Sequence, residues 1–121
     1  MKREVKFRAW DEILKYYPLP ESLVYRLDGI LFNRKNQDEL NNFIMEQFTG
    51  LKDKNGVDIY EGDIIDHYAM YGYVVFENGA FSMHRNANTQ FCNCKQPMAY
   101  HDINEMQVIG NIHENPELLK P

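Results

Sequence analysis

Two cysteines, Cys92 and Cys94, are all the thiol this 121-residue chain has. They stand one residue apart, and a bridge across so small a ring would be strained, so no disulfide framework is expected. Positive charge is also in deficit: 13 Lys and Arg against 18 Asp and Glu leave a formal charge of −5. An acidic domain does not hold a phosphate backbone through its bulk field. No apolar run approaches the roughly 20 residues of a membrane-spanning helix. Basic residues open the chain, but no apolar core follows them, so no secretory leader and no membrane partner are expected. The expected setting is a reducing cytoplasm. Phosphate loops, dinucleotide fingerprints and a GxSxG nucleophile elbow are all missing.

What the chain has is aromatic side chains, with eight Tyr and seven Phe. Rings suit pleated strands, where they pack across the sheet. Val5 to Trp10 alternates apolar and polar, which places Val5, Phe7 and Ala9 on an inner face. Asp11 ends that strand, and Tyr16-Tyr17-Pro18-Leu19-Pro20 is a proline-broken connection. Leu23 to Leu27 and Ile30 to Phe32 flank Asp28-Gly29, a hairpin signal. Leu40, Phe43 and Ile44 fit a helical face, so residues 36–42 stay open to a short helix. Residues 43–48 read as a strand running into Thr49-Gly50.

The stretch Gln47 to Ile65, QFTGLKDKNGVDIYEGDII, then packs three turn signals between strand seeds: Thr49-Gly50, Asn55-Gly56 and Glu61-Gly62-Asp63. Tyr73 to Phe76, Asn78-Gly79 and Ala80 to His84 form another hairpin pattern. Residues 85–98 read as a long polar loop. Residues 106–112 read as the last strand, followed by Asn115 as N-cap and Pro116 at the first position of one helical turn. The sum is a single domain, 1–121, of mainly β or β-dominated α+β class. A small, strongly bent, barrel-like arrangement would remove exposed edges. Phe7, Trp10, Phe48, Leu51, Ile59, Ile64, Val75, Phe81 and Ile109 are the expected core, and Asp28-Gly29, Asn55-Gly56 and Asn78-Gly79 the expected tight loops.

Three segments carry a family resemblance: KFRAWD at Lys6 to Asp11, QFTGLKDKNGVDIYEGDII at 47–65, and VIGNIHENPELL at Val108 to Leu119. With these the chain resembles the YopX family, small proteins found mostly in phages and prophages of Gram-positive bacteria. The resemblance implies a β-rich fold and a phage or prophage origin. It brings no catalytic residue with it.

Several constellations invite a chemical reading. Cys92 and Cys94 with His84 and His101 offer zinc donors, but a one-residue spacing is not the usual knuckle. Asp53, Asp58, Glu61 and Asp63 gather four carboxylates near turns, where such residues bond their own backbone. An enzyme would need them in one cleft with a histidine. The expectation is no catalytic residue, no metal and no cofactor. Tyr68, Met70, Tyr71 and Tyr73 form an aromatic-rich patch around Gly72, suited to a core, a protein interface or base stacking. Lys2, Arg3, Lys6 and Arg8 would have to share a face with it in a nucleic-acid binder. Tyr60-Glu61 at a tight turn, with Asp53, suggests an exposed rim that contacts a partner. The leading expectation is therefore a non-enzymatic accessory protein that binds another protein. A nucleic-acid-associated barrel is the alternative, and self-association through open strand edges is a further route.

Overall fold

The computed structural model describes residues 4–19, 23–25, 31–33, 39–40, 42–68, 70–85, 95–98 and 103–119. Within them the backbone is mostly strand: β1 Phe7–Asp11, β2 Leu23–Tyr25, β3 Leu31–Asn33, β4 Glu39–Leu40, β5 Phe43–Lys52, β6 Asp58–Tyr60, β7 Asp63–His67, β8 Met70–Glu77, β9 Ala80–Arg85, β10 Lys95–Pro97 and β11 Met106–Asn111. Short 3-10 turns occupy Ile103–Glu105 and Pro116–Leu119. The strands form three sheets, ordered β1-β5-β6, β10-β9-β8-β7-β11 and β2-β3-β4. The fold is β-dominated, as the sequence implies. The five-stranded sheet ends on β10 and β11 and does not close into a barrel.

The chain divides into two compact units, residues 1–6 with 47–121, and residues 7–46. In the smaller unit, β2 and β3 pair as a hairpin with Tyr25 opposite Leu31, and β3 continues to β4. Residues 39–40 are therefore strand. Asp28-Gly29 lies outside the described residues. Asp11 is buried at the end of β1, and its Oδ1 accepts the amide hydrogens of Ile13 and Leu14 and one from Asn42 Nδ2. Ala9 and Trp10 are buried, but Val5, expected inside, is exposed. It precedes β1, so no ladder fixes its direction.

In the larger unit the core gathers Ile59, Ile65, Val74, Met83, Met98 and Met106, with Leu51, Phe81 and Val108 packed against them. Ile64 and Ile65 are both wholly buried. Neighbours on a strand point to opposite faces, so both faces of β7 are covered. On β8 the inward residue is Val74, not Val75, which is only half-buried. Phe7, Leu51, Phe81 and Ile109 are likewise half-buried.

Three turn expectations meet different geometry. Asn78-Gly79 is a two-residue loop between paired Glu77 and Ala80, with φ of 52° and 79°. Both values are left-handed, as a hairpin turn matched to strand twist requires. Asn55-Gly56 sits instead in a five-residue loop, 53–57, closed by the Lys52–Asp58 pair. The Asp53 side chain organises that wider loop through the Asn55 and Val57 amides. Thr49-Gly50 is no turn at all: both residues lie within β5, where the register against β6 shifts between Phe48 and Lys52. Gly50 takes φ 87° at this irregularity, and Thr49 Oγ1 donates 2.7 Å to the Ile59 carbonyl. A bulge absorbs the glycine without reversing the chain. Residues 95–97, expected in a loop, pair with β9 as β10.

Candidate interaction surface

Asp53 is the organising residue of the 47–63 segment. It is buried, and its Oδ1 accepts the amide hydrogens of Asn55 and Val57, both at 2.9 Å. Its Oδ2 accepts the Val108 amide hydrogen at 2.9 Å. Lys54 N–H also donates to the Met106 carbonyl at 3.0 Å. The loop thus covers outward-facing backbone groups of β11, an end strand of its sheet, and an edge so occupied is closed to strand addition. Burial raises the Asp53 carboxyl, but the three backbone donors and nearby Lys54 outweigh it and hold the group below its ordinary value. Asp53 therefore does not lie on an exposed rim.

Tyr60 and Glu61 are half-buried. The Tyr60 ring packs on Phe48 at 5.6 Å between centroids, and its amide donates to Asp63 Oδ2 at 2.8 Å. Glu61 N–H donates to the Gln47 carbonyl at 2.9 Å, while Glu61 Oε1 accepts the Gln47 amide hydrogen at 3.4 Å. Asp63 is buried and serves the turn backbone. Asp53, Tyr60 and Glu61, the three residues expected on a rim, each take part in the packing or hydrogen bonding of this segment.

The basic residues are engaged too. Lys6 Nζ contacts Asp58 Oδ2 at 2.6 Å and Glu4 at 3.2 Å, and lies 4.5 Å from the Phe48 ring centroid. The Asp58 bond holds the Lys6 ammonium protonated beyond its ordinary range. Lys6, then Lys52 at 2.9 Å, keeps the Asp58 carboxyl low. Within the smaller unit, Arg8 Nε meets the buried Glu46 at 2.9 Å, and Tyr17 donates its hydroxyl to the same carboxylate oxygen at 2.7 Å. Lys6 and Arg8 are therefore neutralised, and Lys2 and Arg3 lie outside the described residues.

The aromatic patch around Gly72 behaves differently. β7 and β8 pair antiparallel with His67 opposite Met70, and Tyr68 follows His67 at the connection between them. Tyr68 stands there at φ 55° with 65% of its surface exposed. Asn or Gly fits that conformation; a bulky side chain in it costs about 1–2 kcal/mol. Its ring lies edge-on to buried His67 at 4.5 Å. Met70 and Tyr71 follow, 44% and 41% exposed. Tyr73, two residues on, is half-buried against His84 at 5.6 Å. Gly72 is buried, where an added Cβ would lie 2.8 Å from Met83 Cγ and 3.0 Å from the His84 carbonyl oxygen. The patch thus splits: its inner members pack, and its tip presents two tyrosines and a methionine.

Among the described residues no group of three or more His, Cys, Asp or Glu is placed to hold a metal ion. His84 Nε2 instead meets Glu77 at 3.0 Å, while Cys92, Cys94 and His101 lie outside the described residues. Among the described residues no helix is long and apolar enough to cross a membrane.

The family model described as YopX protein matches residues 6–120. The chain belongs to the YopX family. Protein EF1440 from Enterococcus faecalis is similar in structure, with a TM-score of 0.62, 30% identity, and coverage of 98% of this chain and 100% of that one. Protein YopX from Bacillus subtilis has a TM-score of 0.58 at 19% identity, covering 95% of both chains, a likeness of fold. No curated protein matches.

Membership in the YopX family gains a physical meaning from the geometry. The central and closing signature segments meet through Val108 N–H on Asp53 and through Ile112 N–H on the Gly62 carbonyl at 2.9 Å. The opening segment joins them at Lys6, whose carbonyl accepts the Phe48 amide hydrogen at 2.9 Å. In the closing segment, Asn115 does not act as a side-chain N-cap. Its Oδ1 turns back to the Asn111 amide at 3.3 Å, over Gly110, where a Cβ would come within 2.5 Å of that oxygen. These signature residues build the fold. The exposed hairpin tip lies outside all three segments, and the aromatic run at 68–71 is the sequence signal that finds it.

Proposed function

We propose that this YopX-family protein is a non-enzymatic phage or prophage accessory protein of the bacterial cytoplasm that works by binding another protein. The observation that carries the reading is the β7–β8 tip. Tyr68 holds a left-handed backbone conformation at a position where Asn or Gly would be more stable, and it is exposed beside Met70 and Tyr71. Strain kept at an exposed aromatic points to selection for contact rather than for stability. Tyr and Met are also enriched in protein interfaces. The neutralised Lys6 and Arg8 weigh against a phosphate-binding face.

The test uses tagged wild-type protein and a Tyr68→Asn, Met70→Ser, Tyr71→Ser variant as baits in host lysate. The expected result is a defined protein retained by the wild type and lost by the variant, with the melting temperature held. Equal capture by both baits removes the tip from the reading. Nuclease-sensitive capture with a steep salt dependence overturns the protein partner in favour of nucleic acid.

A further inference from the structure

Asn55-Gly56 and Asn78-Gly79 are the two Asn-Gly pairs of the chain. The next backbone nitrogen can attack the asparagine amide carbon with little hindrance when the following residue is glycine. Both asparagines are exposed, so exposure does not separate the two sites. Their backbones do. At the first site the attacking nitrogen, Gly56 N, donates its hydrogen to the Asp53 carbonyl at 3.0 Å. The preceding amide, Asn55 N–H, is held by the Asp53 carboxylate at 2.9 Å. That buried carboxylate is negative, and an attacking amide nitrogen must shed its proton and push charge onto oxygen beside it. At the second site Gly79 is exposed, nothing lies within 4 Å of where its Cβ would be, and its N–H has no hydrogen bond among the described residues.

We infer that Asn78 is a site of spontaneous covalent modification, converting to aspartate and isoaspartate, and that Asn55 is protected from the same reaction by Asp53. Gly79 N bonds to Asn78 Cγ as the Asn78 side-chain nitrogen leaves as ammonia, carrying away the Gly79 amide proton. The five-membered imide then takes up one water at either carbonyl and reopens. No electrons are transferred, and the chain becomes one charge more negative than −5 for each converted site. The two products differ in consequence. Aspartate keeps the α-linkage and, like asparagine, tolerates the left-handed conformation. Isoaspartate adds a backbone atom to a loop of two residues, and the Glu77–Ala80 and Phe76–Phe81 pairs have no slack to absorb it.

The experiment incubates the full chain at mildly alkaline pH, with a linear peptide spanning residues 52–81 as the unstructured reference. Conversion at each asparagine is followed by peptide mass mapping, with isoaspartate resolved by chromatography. In the peptide both sites should convert at similar rates. In the folded chain Asn55 should convert roughly five- to tenfold more slowly than Asn78, the factor that one ordinary held N–H imposes on a barrier. Asp53→Asn, which keeps the Asp53 carbonyl bond to Gly56 but removes the carboxylate charge, should raise conversion at Asn55 part of the way toward the peptide rate and leave Asn78 unchanged. Asn78→Gly, which keeps a left-handed turn residue, should remove the acidic species formed at residue 78 and leave the slower conversion at Asn55. Equal rates at the two sites in the folded chain, or resistance at Asn78 while the peptide converts fully, overturns the inference. So does conversion at Asn55 that is no faster in a folded Asp53→Asn variant than in the wild type.

Discussion

The Asp53 carboxylate accepts the amide hydrogen of Val108 at 2.9 Å across 55 residues of sequence. The same carboxylate ties its own loop through Asn55 and Val57, so one side chain fixes a turn and docks it on β11. Asp53→Ala leaves three backbone donors to find other partners in a buried setting. A loss of about 2–4 kcal/mol is expected in urea denaturation, since hydrogen bonds to charged groups are among the stronger ones and orphaned buried donors are costly. Hydrogen exchange should accelerate first at Val108 and Val57. Unchanged exchange at Val108 would show that another group covers that edge.

Acid should act through the same contact. The folded Asp53 carboxyl lies below its ordinary value of 3.8, and Asp58 is lowered as well by Lys6 and Lys52. A group depressed in the folded state contributes stability that is fully present above the unfolded value. That contribution fades as pH falls through 3.8 toward the folded values. Unfolding free energy should therefore be level near neutrality and drop below about pH 4. Asp53→Asn should be less stable near neutrality and show a shallower acid decline. An equally steep decline in the variant would assign the acid sensitivity elsewhere.

Much of the fold can be read from the chain. Asn78-Gly79 specifies its hairpin because both residues tolerate the left-handed turn. The phase of β8 is harder to read. Tyr73-Val74-Val75-Phe76 has no polar residue to mark the outer face, and Ile64-Ile65 on its partner are both buried. A strand covered on both faces loses the period-two contrast on which the inward assignment depends. Met83, Met98 and Met106 enter the core because flexible thioethers fill irregular space, a choice no periodicity announces. The polar segment 53–63 misleads in the opposite direction. Its acids look like a surface, but a long-range acceptor such as Asp53 is legible only once its partner, Val108, is placed beside it.

Gly72 and Gly79 should fail for different reasons. Around Gly79 there is open space, so Gly79→Val carries only the backbone strain of φ 79°, roughly 1–3 kcal/mol. At Gly72 the obstacle is steric, because a Cβ would press on Met83 Cγ and on the His84 carbonyl oxygen. The methionine can swing away and the carbonyl cannot. Gly72→Ala should cost about 1–3 kcal/mol by overpacking. Adding Met83→Ala should not restore the loss, because the carbonyl contact remains. Recovery in that double variant would locate the whole conflict in the thioether.

Tyr68 separates stability from binding most directly. Its left-handed conformation favours Asn, and among the described residues the ring contact it would lose on replacement is the edge-on one with His67. Edge-on ring contacts are worth about 0.5–1.5 kcal/mol when formed between aromatics, and exposure at this turn reduces that value. Relief of the backbone strain, about 1–2 kcal/mol, is the larger effect. Tyr68→Asn should therefore be as stable as wild type or more so, by up to about 1 kcal/mol in thermal or urea unfolding. If the tip binds a protein, the same substitution should weaken capture of that partner, since truncating an aromatic interface anchor can cost about 2 kcal/mol or more. Tyr68→Phe, which keeps the ring and the strain, should retain most of the binding and none of the added stability. A Tyr68→Asn protein that loses stability would show that the ring holds the hairpin together, and the strain argument for a binding tip would fall with it.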